Sequence, residues 1–206
     1  MKGKFVTFEG SEGSGKSTQS KLLYDYLKRK GYRVIFIREP GGTKISEAIR
    51  QLLLDCRNDS MSAQTEMLLY MAARAQLISQ IITPALRKGK IVLCDRFLDS
   101  TVAYQGYGLG LDIGLIKKIG AFATSNINPG LTIFLDLPAK DGLKACGKIK
   151  TKDRIERRPL KFHLRVRSGY LKIAKLEPSR FKIVKVDKSK SITQINIRKL
   201  VDRFLE

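Results

Sequence analysis

Gly10-Ser11-Glu12-Gly13-Ser14-Gly15-Lys16-Ser17-Thr18 follows directly on the apolar run Phe5-Val6-Thr7-Phe8. A short strand, a glycine-rich turn and then Lys-Ser form a phosphate cradle. Gly10, Gly13 and Gly15 let the backbone wrap a polyphosphate with its N–H groups turned inward. Lys16 is then placed to reach the β and γ phosphates and Ser17 to ligate Mg²⁺. The helix that begins here adds the positive end of its dipole. Residues 10–18 are therefore expected to bind a nucleoside triphosphate, and the fold is expected to be built around that strand–loop–helix unit.

Four more apolar runs of strand type lie downstream, at Val34–Ile37, Ile91–Cys94, Thr132–Leu135 and Phe181–Val186. They are nearly continuous, as in strands buried on both faces. Segments with helical spacing separate them. Leu22, Leu23, Tyr26 and Leu27 make one face that stops at Gly31; Ile45, Ile49, Leu52 and Leu53 make another. A long apolar helix is predicted over 62–82. Ile192, Ile195 and Val201 help to line the last helix, and Ser191 with Gln194 has the spacing of a capping box. Strands alternating with helices predict an α/β fold: a three-layer, doubly wound, parallel five-stranded sheet with right-handed crossovers. A chain of 206 residues reads as one domain over 1–206. The stretch at about 147–158 is rich in Lys and Arg and poor in apolar residues, and reads as a mobile surface loop, a lid, ahead of a helix.

Composition narrows the function classes. No apolar stretch approaches the roughly 20 residues that span a bilayer, and the phosphate loop begins too early to leave room for a cleaved leader. Cys56, Cys94 and Cys146 have no metal-ligand spacing, consistent with reduced thiols in a cytoplasm; Cys94 reads as strand filler. The net charge of +21 is unevenly distributed: residues 144–185 hold 15 basic and 3 acidic side chains. Such a segment meets either a polyanionic substrate or nucleic acid. His163, the sole histidine, has no partner motif and reads as structural or solvated. Tyr24, Tyr26 and Tyr32 read as packing residues.

A second constellation lies where α/β sheets bind ligands, at the carboxyl ends of strands. Asp95-Arg96 follows the third strand; the carboxylate can hold Mg²⁺ through water and the arginine can fork onto a phosphate. Arg38-Glu39-Pro40-Gly41-Gly42-Thr43 follows the second. The Asn-Lys-x-Asp element that reads guanine is absent, as is a switch Asp-x-x-Gly after a strand, so ATP is the expected donor.

These residues carry a family. The chain resembles the thymidylate kinases through Phe-Glu-Gly-Ser-Glu-Gly-Ser-Gly-Lys-Ser-Thr (8–18), Arg-Glu-Pro-Gly-Gly-Thr (38–43), Leu-Leu-Tyr-Met-Ala-Ala-Arg (68–74), Asp-Arg-Phe-Leu-Asp-Ser-Thr-Val-Ala-Tyr-Gln-Gly (95–106) and Asp-Arg-Ile-Glu (153–156). The resemblance implies transfer of phosphate from ATP to dTMP with Mg²⁺ by a homodimer joined through the long helices, and the cysteine usage gives the cytoplasm as the expected location. It implies that Gly10, Ser11, Glu12, Gly13, Ser14, Gly15, Lys16, Ser17 and Thr18 bind ATP, and that Ser17 and Asp95 hold the metal. It assigns Glu12 to the sugar 3′-hydroxyl, Tyr70 to stacking on thymine and Arg74 to the base at O4. Arg96 clamps the dTMP phosphate with Arg38 and Arg50, while Ser100, Tyr104 and Gln105 line the nucleoside pocket. The phosphate loop holds no arginine, which matches the bacterial-like type whose lid supplies the catalytic cation. The lid here has Lys148, Lys150 and Lys152 where arginines are usual; Lys148 or Lys150, with Arg154, is the expected donor-side pair alongside Lys16 and Arg96. Lysine keeps the charge and loses the bidentate fork. Two rivals carry opposite expectations: another monophosphate kinase, against which Tyr70, Arg74 and Gln105 argue, and an ATP-dependent nucleic-acid-binding protein, for which no readout motif exists. No specific nucleic-acid partner and no membrane are expected.

Overall fold

The structure, a computed structural model, describes residues 3–147 and 152–206. Five strands, β1 (Lys4–Gly10), β2 (Val34–Arg38), β3 (Ile91–Asp95), β4 (Leu131–Asp136) and β5 (Phe181–Lys185), form one parallel sheet in the order β2-β3-β1-β4-β5. All five apolar runs are strands, and the doubly wound sheet is the expected one.

Alternation along β1 sends its side chains to two layers. Val6 and Phe8 join Leu23 and Leu27 of α1 (Lys16–Arg29) and Ile197 and Val201 of α9 (Lys190–Leu205) in one core. Phe5 turns the other way, toward Leu77 at the end of α3 (Ala63–Leu77) and Phe97. On that same side, Met67 and Met71 of α3 pack with Ile116 of α6 (Ile113–Ala123) and with Val166 and Tyr170 of α8 (Leu160–Leu176). The shorter helices are α2 (Lys44–Leu54), α4 (Thr83–Arg87), α5 (Leu98–Thr101) and α7 (Ala139–Gly147).

Several local expectations are corrected. The helix predicted over 62–82 runs as α3, then widens into a π segment at Ile78–Ile82 and continues as α4. On α2, Ile45 and Leu52 are exposed, and Ser46 and Leu53 are the buried positions. On α9, Ile192 and Ile195 are exposed, and the core face is Thr193, Gln194, Ile197 and Val201. Its cap position is Ser189, so Ser191 lies inside the first turn and the Ser191–Gln194 capping box does not form. The basic stretch is not wholly a surface loop: Arg154, Ile155 and Glu156 are buried. His163 is buried, edge-on to Phe162, which excludes the solvated reading.

Register brings the site together. Phe8 and Arg38 both lie level with Asp95, so the loops leaving β1, β2 and β3 emerge at one edge of the sheet.

Candidate active site

The loop leaving β1 turns through Gly13 (φ 68°) and Gly15 (φ 82°), and Gly15 caps α1. A Cβ at Gly13 would collide with the backbone of Gly142 in α7, so the loop and that helix meet backbone to backbone. Lys16 is almost wholly buried and donates to the carbonyls of Gly10 (3.0 Å) and Ser11 (2.9 Å). Burial and the nearby Arg96 cation push the Lys16 ammonium pKa down, against the pull of Glu12, Asp95 and Glu9. The Ser11 hydroxyl oxygen is buried without a partner among the described residues. A cradle with an unused hydroxyl and a desolvated ammonium fits a polyphosphate.

Ser17 donates its hydroxyl to the Asp95 carboxylate at 2.7 Å. The two residues paired in the sequence reading as metal ligands are thus in contact, and a hydroxyl with a carboxylate is a hard oxygen set suited to Mg²⁺. Glu12, Cys146 and Glu156 also bring ligand atoms within 4.8 Å of one another. That group mixes a thiol with carboxylates, and its Glu12 is committed elsewhere.

Arg96 is the hub. Its backbone is left-handed (φ 72°), a conformation that costs a non-glycine residue on the order of 1–3 kcal/mol and is characteristic of functional loops. Its guanidinium donates to Glu12 at 2.7 Å and to the Tyr104 hydroxyl at 3.1 Å, with the Tyr104 ring 5.0 Å away. Tyr104 in turn donates to Glu12 at 2.7 Å. Burial would raise the Glu12 carboxyl, but Arg96 and Lys16 beside it outweigh burial and hold it down at about 2.

A cavity of about 360 Å³ joins these parts. Its wall holds Glu12 to Thr18, Arg38, Arg50, Tyr70, Asp95, Arg96, Ser100, Tyr104 and Gln105. Arg38 is braced by Glu47 (3.0 Å) and, with Arg50, donates to the Pro40 carbonyl. Tyr104 and Gln105 sit on a second π segment, Val102–Gly108, in which the Leu109 N–H reaches five residues back to the Tyr104 carbonyl.

Two predicted residues lie behind the wall. Arg74 is 1% exposed; its Nε donates to Glu39 at 2.8 Å and an Nη to Thr101 at 3.1 Å. Burial pushes the Glu39 carboxyl up, opposed by Arg74. Arg154 donates to the Leu53 carbonyl (2.8 Å) and to Glu66 (2.6 Å), in a buried ion pair rather than at the phosphate loop. Lys148 and Lys150 lie outside the described residues; Lys152 is exposed. Three residues that the sequence reading did not single out complete the site's support. Glu66 bonds Gln105 (2.7 Å), Arg154 and Arg158, while Glu9 and Tyr170 pack under Arg96. Only a buried acidic position inside the apolar α3 pattern hinted at Glu66.

The thymidylate kinase family model matches residues 8–197. The chain belongs to the thymidylate kinase family. It is 51% identical over 189 residues to the thymidylate kinase of Geotalea daltonii, covering 88% of each chain. It is 42% identical over 207 residues to that of Pelotomaculum thermopropionicum, covering 100% of this chain and 96% of the relative. The crystal structure of thymidylate kinase from Ehrlichia chaffeensis superposes with a TM-score of 0.80 at 34% identity, covering 98% of this chain and 99% of that one. The protein is therefore a phosphate-loop enzyme of this family, whose reaction is the phosphorylation of dTMP to dTDP.

Proposed function

We propose that this chain moves the γ-phosphoryl group of ATP onto the phosphate of dTMP, giving ADP and dTDP, in the cytoplasm and as a homodimer. The observation that carries this reading is that one cavity is lined both by the Lys16 phosphate cradle and by Arg96 and Tyr104, which meet at Glu12. The attacking group is a phosphate oxygen that is already anionic, so the site needs positioning and charge neutralisation rather than a strong base.

Residues 10–18 hold the donor phosphates, with Lys16 aimed at the transferred group. Ser17 and Asp95 hold Mg²⁺, which when bound neutralises charge on the β and γ oxygens. Arg96 clamps the acceptor phosphate, assisted by Arg38 and Arg50 at the same wall. Glu12, kept ionised by Arg96, accepts the sugar 3′-hydroxyl. Tyr70 stacks on the base, with Ser100, Tyr104 and Gln105 around the nucleoside. Arg74 reads O4 by turning one Nη into the cavity while Glu39 keeps its Nε. Lys148 or Lys150 meets the donor side as a point charge; Arg154 joins it only by leaving Glu66.

Support for the dimer comes from the apolar side chains left exposed on three helices, Ile45 and Leu52 on α2, Leu68 on α3, and Leu115 and Phe122 on α6. Helices α2 and α6 both pack on α3. No helix among the described residues is long and apolar enough to cross a membrane.

A coupled ADP-release assay with dTMP, dUMP, UMP, CMP and thymidine tests the reading. The expected order is dTMP first and dUMP second, with cytosine rejected because its amino group leaves the Arg74 donor unpaired. Faster turnover of CMP or UMP than of dTMP overturns it.

A further inference from the structure

Glu9 is fully buried at the end of β1, one layer below the cavity, and does not line it. Its two oxygens accept three hydrogen bonds. Oε1 takes the backbone N–H of Phe97 at 2.8 Å; Oε2 takes the hydroxyls of Ser100 (2.6 Å) and Tyr170 (2.9 Å). The Ser100 and Tyr170 hydroxyl oxygens lie 2.8 Å apart, so either can donate to the other in place of Glu9. One guanidinium nitrogen of Arg96, Nη1, then shares its two hydrogens among the Gly10 carbonyl (3.1 Å), the Ser100 hydroxyl (3.2 Å) and the Tyr170 hydroxyl (3.4 Å). The Phe97 N–H that Glu9 holds is the one directly after the left-handed backbone of Arg96. Glu9 thus touches the strained turn on its chain side and the guanidinium through two hydroxyls, while Phe134 stacks on the Tyr170 ring at 4.9 Å and fixes it from below.

We propose that Glu9 and Tyr170 are positioning residues for Arg96, fixing the acceptor-phosphate face of the site through a buried brace. The proposal rests on the reading of Arg96 as the clamp for the dTMP phosphate. An ionised Glu9 accepts from all three donors at full strength; protonation places a hydrogen on one of its oxygens, weakens that oxygen as an acceptor and loosens part of the brace. Burial and the neighbouring Asp99 carboxylate push the Glu9 carboxyl up to about 7, against the pull of Ser100, Arg96 and Tyr170. Lys16 from α1 and Cys94 from β3 lie within reach of the same charge. The brace therefore weakens as pH falls through about 7.

The test is steady-state kinetics on the full chain and its E9Q, Y170F and R96K variants, with KM for dTMP and for ATP measured separately across roughly pH 5.5–8.5. Glu9→Gln is expected to raise KM for dTMP about tenfold, the worth of a hydrogen bond to a charged group, and to leave KM for ATP within about twofold. Tyr170→Phe, which removes one hydroxyl, is expected to raise KM for dTMP by several-fold with the same selectivity. In the wild type, KM for dTMP rises as pH falls through about 7; E9Q loses that step and keeps only the titration of the phosphate itself near ~6. Unchanged KM for dTMP in E9Q, an equal rise in both KM values, or a step near 7 that survives in E9Q overturns the brace. If E9Q fails to fold, Y170F decides by the same KM comparison. If R96K leaves KM for dTMP unchanged, the clamp reading fails and the brace with it. If R96K raises it while E9Q and Y170F do not, the clamp stands and the brace is wrong.

Discussion

Lys16 is held by two loop carbonyls, touches no core side chain in those contacts, and sits beside Arg96 in a desolvated site. In the proposed reaction its charge serves the transferred phosphoryl group rather than the fold. Lys16→Ala is expected to lower kcat by about 10²–10³-fold or more, the loss typical of one preorganised electrostatic group, with a thermal midpoint close to wild type. Single-turnover kinetics beside a melting curve check both halves. Glu12 gives a pH prediction of definite sign. Its folded pKa of about 2 lies below the ordinary carboxylate value of 4.5, so its ion pair contributes stability above pH 4.5 and loses it as pH falls from 4.5 toward 2. Denaturant melts across that window should show wild-type stability falling more steeply than that of Glu12→Gln. Lys16, Ser17, Asp95 and Arg96 were legible because each lies next to a strand end in a motif of fixed local spacing. Glu9, Glu66 and Tyr170 were not, because their meaning depends on packing between distant segments: Tyr170 meets Arg96 across 74 positions of chain.

At the scale of elements, the apolar runs coincide with all five strands among the described residues; β1, β3 and β4 are buried almost throughout, while the edge strands β2 and β5 are only partly buried and were still marked by their apolar, β-branched content. Helices were read less well. The faces of α2 and α9 were displaced because exposed isoleucines and leucines look the same in sequence as buried ones. The π segments were invisible, since a step from four to five residues per hydrogen bond leaves no compositional trace, yet one of them carries Tyr104 and Gln105 into the site. Helix α7 shows how an element position bears on function. A Cβ at Gly142 would strike the Glu12 carbonyl oxygen, so Gly142→Ala must push α7 off the phosphate loop. Overpacking of this kind costs about 1–3 kcal/mol, which lowers the melting temperature by roughly 2–4 °C per kcal/mol in a chain of this size. KM for ATP is expected to rise more than KM for dTMP, because the loop it displaces is the proposed donor-phosphate site. Calorimetry and paired KM measurements check this. The basic run that follows α7 supplies the next prediction. With Arg154 tied to Glu66, a variant with alanine at Lys148, Lys150 and Lys152 is expected to lose kcat more than it gains in KM for ATP, as for a contact made in the transition state. Retention of wild-type kcat would reduce the run to a solvated face.

Across the whole molecule, the charge of +21 raised nucleic acid as a rival partner, and five of the fifteen basic side chains in residues 144–185 are engaged within the fold. Arg154 and Arg158 meet Glu66, Arg167 meets Asp136, Arg180 meets Asp99 and Glu177, and Arg165 caps the Gly108 carbonyl. These arginines tie α8 and the basic stretch to the sheet and to the nucleoside wall. The surface feature on which the proposed dimer rests is apolar. Phe122 is 87% exposed on α6, and Leu115 on the same helix and Leu68, Ile45 and Leu52 on α3 and α2 are about half exposed. Burying a side chain such as phenylalanine is worth about 1.5–3 kcal/mol, and an interface related by a two-fold axis counts each contact twice. In the proposed homodimer Phe122→Asp would place a charge on each side of the interface, and it is expected to convert that dimer into a folded monomer at micromolar concentration. Sedimentation equilibrium on the two proteins, with circular dichroism to confirm the fold, reads the outcome. A variant that still sediments at twice the chain mass would move the interface away from α6, and a wild type that sediments as a single chain would remove the dimer altogether.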